Sequence, residues 1–374
     1  MKRWQELLGG CARSADELRD RLYLDAGEVA EMDRIAASYP ICIPEYYLDL
    51  IDPADPHDPI RKMCVPDVME FSRGGSMDTS GEHDNTVVQG MQHKYRQTVM
   101  ILSTNQCAMY CRHCFRKRLV GLSSEEVAAR LPEMAAYVRD HPEIDNVLIS
   151  GGDAFLNTDD VITGYLETFA SIPHIRFIRF GTRTPVTFPF RITADDGELT
   201  DLLARYGERV QIIVVTHFNH PREVTDQSIR AIRELQRAGC VLRNQTVLLR
   251  GVNDDPAVLS ALLNRLVSVG VMPYYVFQCR PVEGVKNQFQ VPLVRGARIV
   301  DEAKAEMSGI AKAFRYAMSH PDGKIEILGS AGEGKLLFKF HQAKDRADNG
   351  RLFVCDVADD QCWLDDEPSR AGTL

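Results

Sequence analysis

The sequence predicts an α/β fold: a partial (βα)6 TIM-like barrel, preceded by a helical and extended arm and followed by a short extension. Three observations predict it. From about residue 97, six strand-like apolar runs alternate with amphipathic helical segments, a rhythm that brings the strands together in parallel. Polar residues capable of chemistry stand at the C-terminal end of almost every strand, where parallel α/β folds gather their ligands. The chain ahead of the alternation is rich in proline and does not share its period. An open doubly wound sheet satisfies the same alternation, and the count of six strands favours the partial barrel.

Taken in order, residues 1–37 read as helical, with Trp4, Leu7, Leu8, Leu18, Leu22 and Leu24 at helix-like intervals. The segment "YPICIPEYYLDLIDPADPHDPIRKMCVPDV" carries six prolines and is extended or turning, an arm that wraps a neighbour or its own barrel. The strand candidates are "TVMILST", "NVLISGG", "IRFIRFG", "VQIIVVTHF", "VLRNQTVLL" and "MPYYVFQC". Between them lie helical segments such as "SSEEVAARLPEMAAYVRDH" and "TDQSIRAIRELQRAG", several opening on Ser, Thr or Asp and closing on Gly. A further helix is expected over about 293–315, then a glycine-containing turn "GSAGEGK" and an acidic tail from Asp356, disordered beyond Glu367. These segments group as an arm over 1–92, a barrel over 93–285 and a C-terminal unit over 286–374.

Composition narrows the function classes. A formal charge of −9 argues against a general nucleic-acid-binding face, which needs clustered Lys and Arg. No apolar run is long enough to span a bilayer, and charges interrupt the start of the chain, so a cytoplasmic protein is expected. Most of the ten cysteines are dispersed, as buried thiols are in such a chain.

Three of them are not dispersed. Cys107, Cys111 and Cys114, in "CAMYCRHCFRKR", have the spacing C-x3-C-x2-C just after the first strand. A structural zinc site would bring a second Cys or His pair to close a tetrahedron, and none is conspicuous. Thiolates also hold iron-sulfur clusters, and three of them leave one iron of a 4Fe-4S cubane open to another ligand.

This spacing and position resemble the radical S-adenosylmethionine (SAM) superfamily, in which the open iron binds SAM. The resemblance narrows to the lysine 2,3-aminomutase family through "YYLDLIDPADPHDPIRK", "CAMYCRHCFRKR", "LISGGDAF", "THFNHPRE", "NQTVLLRGVND" and "PYYVFQC", in that order. It implies a radical SAM barrel that uses a 4Fe-4S cluster, SAM and pyridoxal 5'-phosphate (PLP), an electron donor such as flavodoxin or ferredoxin, and a homo-oligomer. It also implies that Ser150, Gly151, Gly152 and Asp153 contact SAM and that Arg116 takes the substrate α-carboxylate. His217, Asn219 and His220 would face SAM or PLP, and Gln245 would lie near the PLP phosphate. Lys94 and Thr98 align with two arginines that hold that phosphate in lysine-specific members. Lys335, in "SAGEGK", stands as the PLP lysine, although Glu333 interrupts the family's run of glycines.

Departures from the family bear on substrate. Lysine-specific members hold the distal ammonium with two aspartates, and those positions align here with Arg280 and Leu328. An ammonium beside a guanidinium lacks a counter-charge, so lysine is disfavoured. Arg280 suits a side-chain carboxylate, and glutamate-specific relatives also place a basic residue there. The alternative is that Arg280 pairs internally with Glu283 or Glu333. An earlier cysteine of the family's zinc site aligns with Asp255, leaving only Cys355 and Cys362 near the end. The expected function is an amino-acid 2,3-aminomutase acting on an acidic substrate. Alternatives are another radical SAM and PLP reaction of an amino acid, lysine 2,3-aminomutation itself, and a non-catalytic iron-sulfur protein.

Overall fold

The computed structural model describes residues 1–122 and 125–364. The tail expected to be disordered beyond Glu367 lies outside the described residues. So do Ser123 and Ser124 of the first helical segment, whose helix runs Leu131–Asp140.

All six strand candidates form strands, within one mixed sheet of twelve. In chain order these are β1 (Thr86–Val88), β2 (Met91–Tyr95), β3 (Thr98–Thr104), β4 (Asn146–Gly151), β5 (Phe177–Gly181) and β6 (Gln211–Thr216). They continue as β7 (Val241–Leu248), β8 (Met272–Gln278), β9 (Arg315–His320), β10 (Gly323–Gly332), β11 (Lys335–Ala343) and β12 (Leu352–Asp356). Spatial order equals chain order. Pairing is parallel from β3 through β9 and antiparallel at both ends, so the parallel stretch has one strand more than the expected six. The mixed sheet is consistent with a partial barrel whose first and last strands remain unpaired with each other among the described residues.

The extra strand corrects the helix expected over 293–315. That helix is Leu293–Ala305, and residues 315–320 instead pair with β8 through Tyr275↔Arg315 and Val276↔Tyr316. The run "FRYAMS" supplies apolar residues to either period. Burial of Tyr316, Ala317 and Met318 against the sheet selects the strand.

Alternation along the parallel strands gives the sheet two working faces. Val99, Ile101, Val147, Ile149, Ile178 and Phe180 are buried in the core beneath the helices. The alternate positions, among them Met100, Leu148, Arg179 and Ile213, turn the other way and line a cavity. Three helices over this core open on the expected caps. Thr158, Thr225 and Asp255 each accept backbone N–H bonds at the starts of Asp159–Ala170, Asp226–Arg237 and Pro256–Ser268. The Asp255 carboxylate thus serves its own helix.

The N-terminal arm wraps its own sheet. After helices Arg3–Gly9, Ala15–Leu22 and Ala26–Ala36, the proline-rich stretch forms two short helices, Glu45–Leu48 and Pro59–Cys64. Buried Glu70 binds both Arg112, at Nε 2.8 Å, and Lys117, at Nζ 2.5 Å, tying the arm to the cysteine loop. Lys117 is therefore a buried ion-pair partner. No described helix is long and apolar enough to cross a membrane.

Candidate active site

A cavity of about 560 Å³ runs through the barrel interior, lined at one end by Cys107, Cys111 and Cys114. The loop bearing them leaves the end of β3. Burial pushes the Cys107 thiol well above its usual range and Cys114 up to about 11, so both are protonated at pH 7. Among the described residues, no three His, Cys, Asp or Glu side chains are placed to hold a single metal ion. A cubane makes a different demand, one thiolate on each separate iron.

Gly151 and Gly152 explain how this loop is fixed. A Cβ on Gly151 would meet the Thr104 carbonyl oxygen at 2.4 Å, and one on Gly152 would meet that of Gln106 at 2.3 Å. The same carbonyls accept N–H bonds from Gly152 and Asp153, at 2.6 and 2.8 Å. The close approach these glycines permit is therefore to the chain leading into Cys107. Ser150 Oγ faces Arg116 Nη1 at 3.2 Å on the cavity wall.

Asp153 also lines the cavity, and its carboxylate is engaged by the protein. Oδ1 accepts from Thr182 Oγ1 at 2.5 Å and Phe155 N at 3.1 Å, and Oδ2 from Arg183 N at 2.7 Å. The motif "THFNHPRE" acts through its last residue. Buried Glu223 accepts the backbone N–H groups of Asn219 and His220 on Oε2, at 2.6 and 2.9 Å. Its Oε1 accepts Tyr47 Oη at 2.6 Å and Arg183 Nη2 at 2.5 Å. Asn219 and His220 are thus structural, Asn219 through Val247 N and His220 as the cap of residues 221–223. His217 does line the cavity. Burial, then Arg183 and Arg116, lower its pKa to about 4, so its imidazole is neutral at pH 7.

Further along, two arginines differ in charge balance. Arg116 is buried and paired with Glu82, at 2.9 Å through both Nε and Nη2. Arg118 takes the other Glu82 oxygen at 2.7 Å. Burial works against the Glu82 carboxylate, but these two guanidinium groups hold it down to about 2. Arg280, at the end of β8, has among the described residues no ion-pair partner within 4.0 Å, and its buried Nη1 has no hydrogen-bond partner. Its guanidinium stacks on Phe115 at 4.2 Å. Burial lowers its pKa to about 10, with Arg116 adding to the effect and Glu82 opposing it. The internal pairing with Glu283 or Glu333 considered from sequence is not formed.

The remaining wall is cationic and aromatic. Lys94, on β2, donates to the His320 carbonyl at 2.6 Å. Lys324, near the start of β10, donates to Gln342 Oε1 at 3.2 Å. Burial and neighbouring cations lower both amines to about 7: Arg280 and Lys344 act on Lys94, and Arg179, Lys94 and Arg280 on Lys324. Arg179, on β5, carries a buried Nε without a partner. Gln245, on β7, lines the same space, as does Thr98, which hydrogen-bonds Asn146 at 3.2 Å.

The chain matches the Radical SAM superfamily over residues 101–262. It is 39% identical over 341 residues to a putative L-lysine 2,3-aminomutase of Aquifex aeolicus, covering 91% of this chain and 90% of that protein. The L-lysine 2,3-aminomutase of Clostridium subterminale is 38% identical, over 82% of this chain and 72% of its own length. The glutamate 2,3-aminomutase of Clostridioides difficile is 36% identical, over 86% and 74%. The chain belongs to the lysine 2,3-aminomutase family of radical SAM enzymes. Members of the family are isomerases that use a 4Fe-4S cluster, SAM and PLP.

As a lysine 2,3-aminomutase family member, the chain has donors that fit these groups. Three thiols share one wall, and the unpartnered Arg179 Nε and the Lys94 amine lie where a phosphate would balance charge. Two of the expected site residues lie outside the cavity. Lys335 is not in the cavity: it opens β11 at the exposed tip of the β10–β11 hairpin, 51% exposed and 3.7 Å from Asp356. Leu328 is likewise on that hairpin, 40% exposed. Lys324 and Ser319, on the two strands flanking the Pro321-Asp322-Gly323 turn, line the cavity instead. Of the two glycine-lysine pairs, "PDGK" therefore stands beside the cavity and "GEGK" on the exposed hairpin. Glu82 and Arg179, which line the cavity, were missed because each is an ordinary charged residue in its local sequence.

Proposed function

We propose that this chain is a radical SAM, PLP-dependent amino-acid 2,3-aminomutase whose substrate carries an acidic side chain, glutamate-like rather than lysine. One observation carries the substrate class: Arg280 is a half-buried guanidinium on the cavity wall whose Nη1 is buried without a hydrogen-bond partner and which has no ion pair among the described residues, while Arg116 is paired with Glu82 and Arg118 with Glu82 and Glu126. A buried unpaired cation is costly, and a substrate carboxylate would remove that cost. A distal ammonium would add to it. The glutamate 2,3-aminomutase relative supports the same class.

When bound, the cluster and SAM supply a 5'-deoxyadenosyl radical, and PLP carries the migrating amino nitrogen. The chain's own residues bind and orient. Cys107, Cys111 and Cys114 hold the cluster, and Ser150 to Asp153 shape the adjoining SAM side. Arg116 addresses the α-carboxylate and Arg280 the side-chain carboxylate, each through a fork suited to paired N–H···O bonds. Lys324 is the PLP lysine in this reading. Its amine, partly neutral at pH 7, has the unprotonated electron pair that a carbonyl requires. Lys94, Arg179 and Gln245 face the phosphate.

The test is anaerobic reconstitution with iron, sulfide, PLP, SAM and dithionite, followed by mass spectrometry against acidic, basic and apolar amino acids. The β-isomer of an acidic amino acid is expected. Turnover of lysine alone overturns the substrate reading, and loss of ammonia or carbon dioxide as the main outcome overturns migration.

A further inference from the structure

Arg183 is not used by the functional reading above, yet it is among the most heavily constrained side chains in the protein. It follows β5 and is 9% exposed. Its Nη1 lies 2.7 Å from Cys111 Sγ. Its Nε donates to the His217 carbonyl at 3.0 Å. Its Nη2 meets Glu223 Oε1 at 2.5 Å and Tyr47 Oη at 3.3 Å. Glu223 is itself fixed by the amides of Asn219 and His220. The guanidinium therefore cannot swing away from the sulfur without breaking bonds to the arm, to β6's loop and to the "THFNHPRE" turn.

We propose that Arg183 sets the reduction potential of the iron-sulfur cluster, its N–H bond to Cys111 Sγ stabilising the one-electron-reduced state. Reduction adds one electron from a low-potential donor, here dithionite, and makes or breaks no bond to Arg183. The sign follows from orientation. The cationic end of the Arg183–Glu223 pair faces the sulfur and the carboxylate lies behind it, so added negative charge on the cluster is favoured. Hydrogen bonds to cluster sulfurs and local charge are established levers on such potentials. The geometry also gives the arm a role, since Tyr47 holds both members of the pair.

The test uses the full chain reconstituted with iron and sulfide, without PLP or amino acid, so failure of the substrate reading does not affect it. The midpoint potential is read by electron paramagnetic resonance during dithionite titration, at matched iron content. Arg183→Gln is expected to shift the potential to more negative values, and Arg183→Lys to lie nearer the parent. Glu223→Gln, which removes the opposing carboxylate, is expected to shift it the other way. An Arg183→Gln protein with full iron and the parent potential overturns the proposal. If Arg183→Gln retains no iron, Glu223→Gln decides: an upward shift supports the proposal, and an unchanged or lower potential overturns it.

Discussion

Lys324 and Lys94 direct their ammonium groups at the same ring, with Nζ 5.1 and 5.7 Å from the centroid of Tyr95. They come from strands at opposite ends of the parallel stretch, β10 and β2. The Tyr95 hydroxyl is buried without a partner, so the ring offers its face rather than an anion. Neither amine is ion-paired with a carboxylate among the described residues, an arrangement that suits an anionic ligand.

The first prediction follows for the PLP lysine. Borohydride treatment of the PLP-loaded protein, then peptide mapping, should place the phosphopyridoxyl label on Lys324. Lys324→Ala should lose the label while Lys335→Ala keeps it. A label on Lys335 would reverse the assignment.

Titration gives a second prediction. Both lysines have pKa values near 7 against an ordinary 10.5, so between these limits the unfolded chain binds more protons than the folded one. The penalty is full below pH 7 and fades toward pH 10.5, so cofactor-free protein should gain stability as pH rises across that window. Melting temperatures at pH 7, 8 and 9 check this, and Lys324→Met should flatten the rise. Equal slopes in parent and variant would contradict it.

Arg280→Met should lower kcat/KM for an acidic substrate by about 10- to 100-fold, the worth of a charge-assisted hydrogen bond. Arg280→Lys should recover part of the loss. Steady-state kinetics on the reconstituted enzyme measures both, and an unaffected Arg280→Met would remove this residue from recognition.

How much of this was legible in the sequence depends on range. The six strands were readable because apolar runs bounded by caps and glycines are local signals, and the thiol spacing lies within one loop. β9 was not, because "FRYAMS" fits two periods until a neighbouring strand chooses between them. The position of Lys335 outside the cavity was not legible for a related reason: glycine followed by lysine marks a hairpin, but not the side of the sheet to which the lysine turns. On β10, Ile325 and Ile327 enter the core and Lys324 faces the cavity, a distinction that depends on β9 and β11. Arg183 and Glu223 were illegible as a pair, since nothing local links strand ends so distant in sequence.

Gly152→Ala should displace the chain before Cys107, because a Cβ would sit 2.3 Å from the Gln106 carbonyl oxygen. Overpacking of this kind costs about 1–3 kcal/mol. Urea denaturation should show that loss, and iron bound per chain after reconstitution should fall. Normal iron content with parent stability would show that the loop yields freely.

Glu70→Gln should destabilise by about 3–5 kcal/mol, since Arg112 and Lys117 would remain buried without their shared carboxylate. Denaturant midpoints measure it, and a loss below about 1 kcal/mol would mean that solvent reaches the pair.

The placement of Lys324 after β9 has a consequence for biosynthesis. The thiol loop and the turn that follows β4 are synthesised with the first third of the barrel, whereas the cationic wall needs β10 paired with β9 and β11. A ribosome releases these parts in that order. The two ends of the cavity are thus separated in synthesis, the thiol loop preceding Lys324 by about two hundred residues of chain.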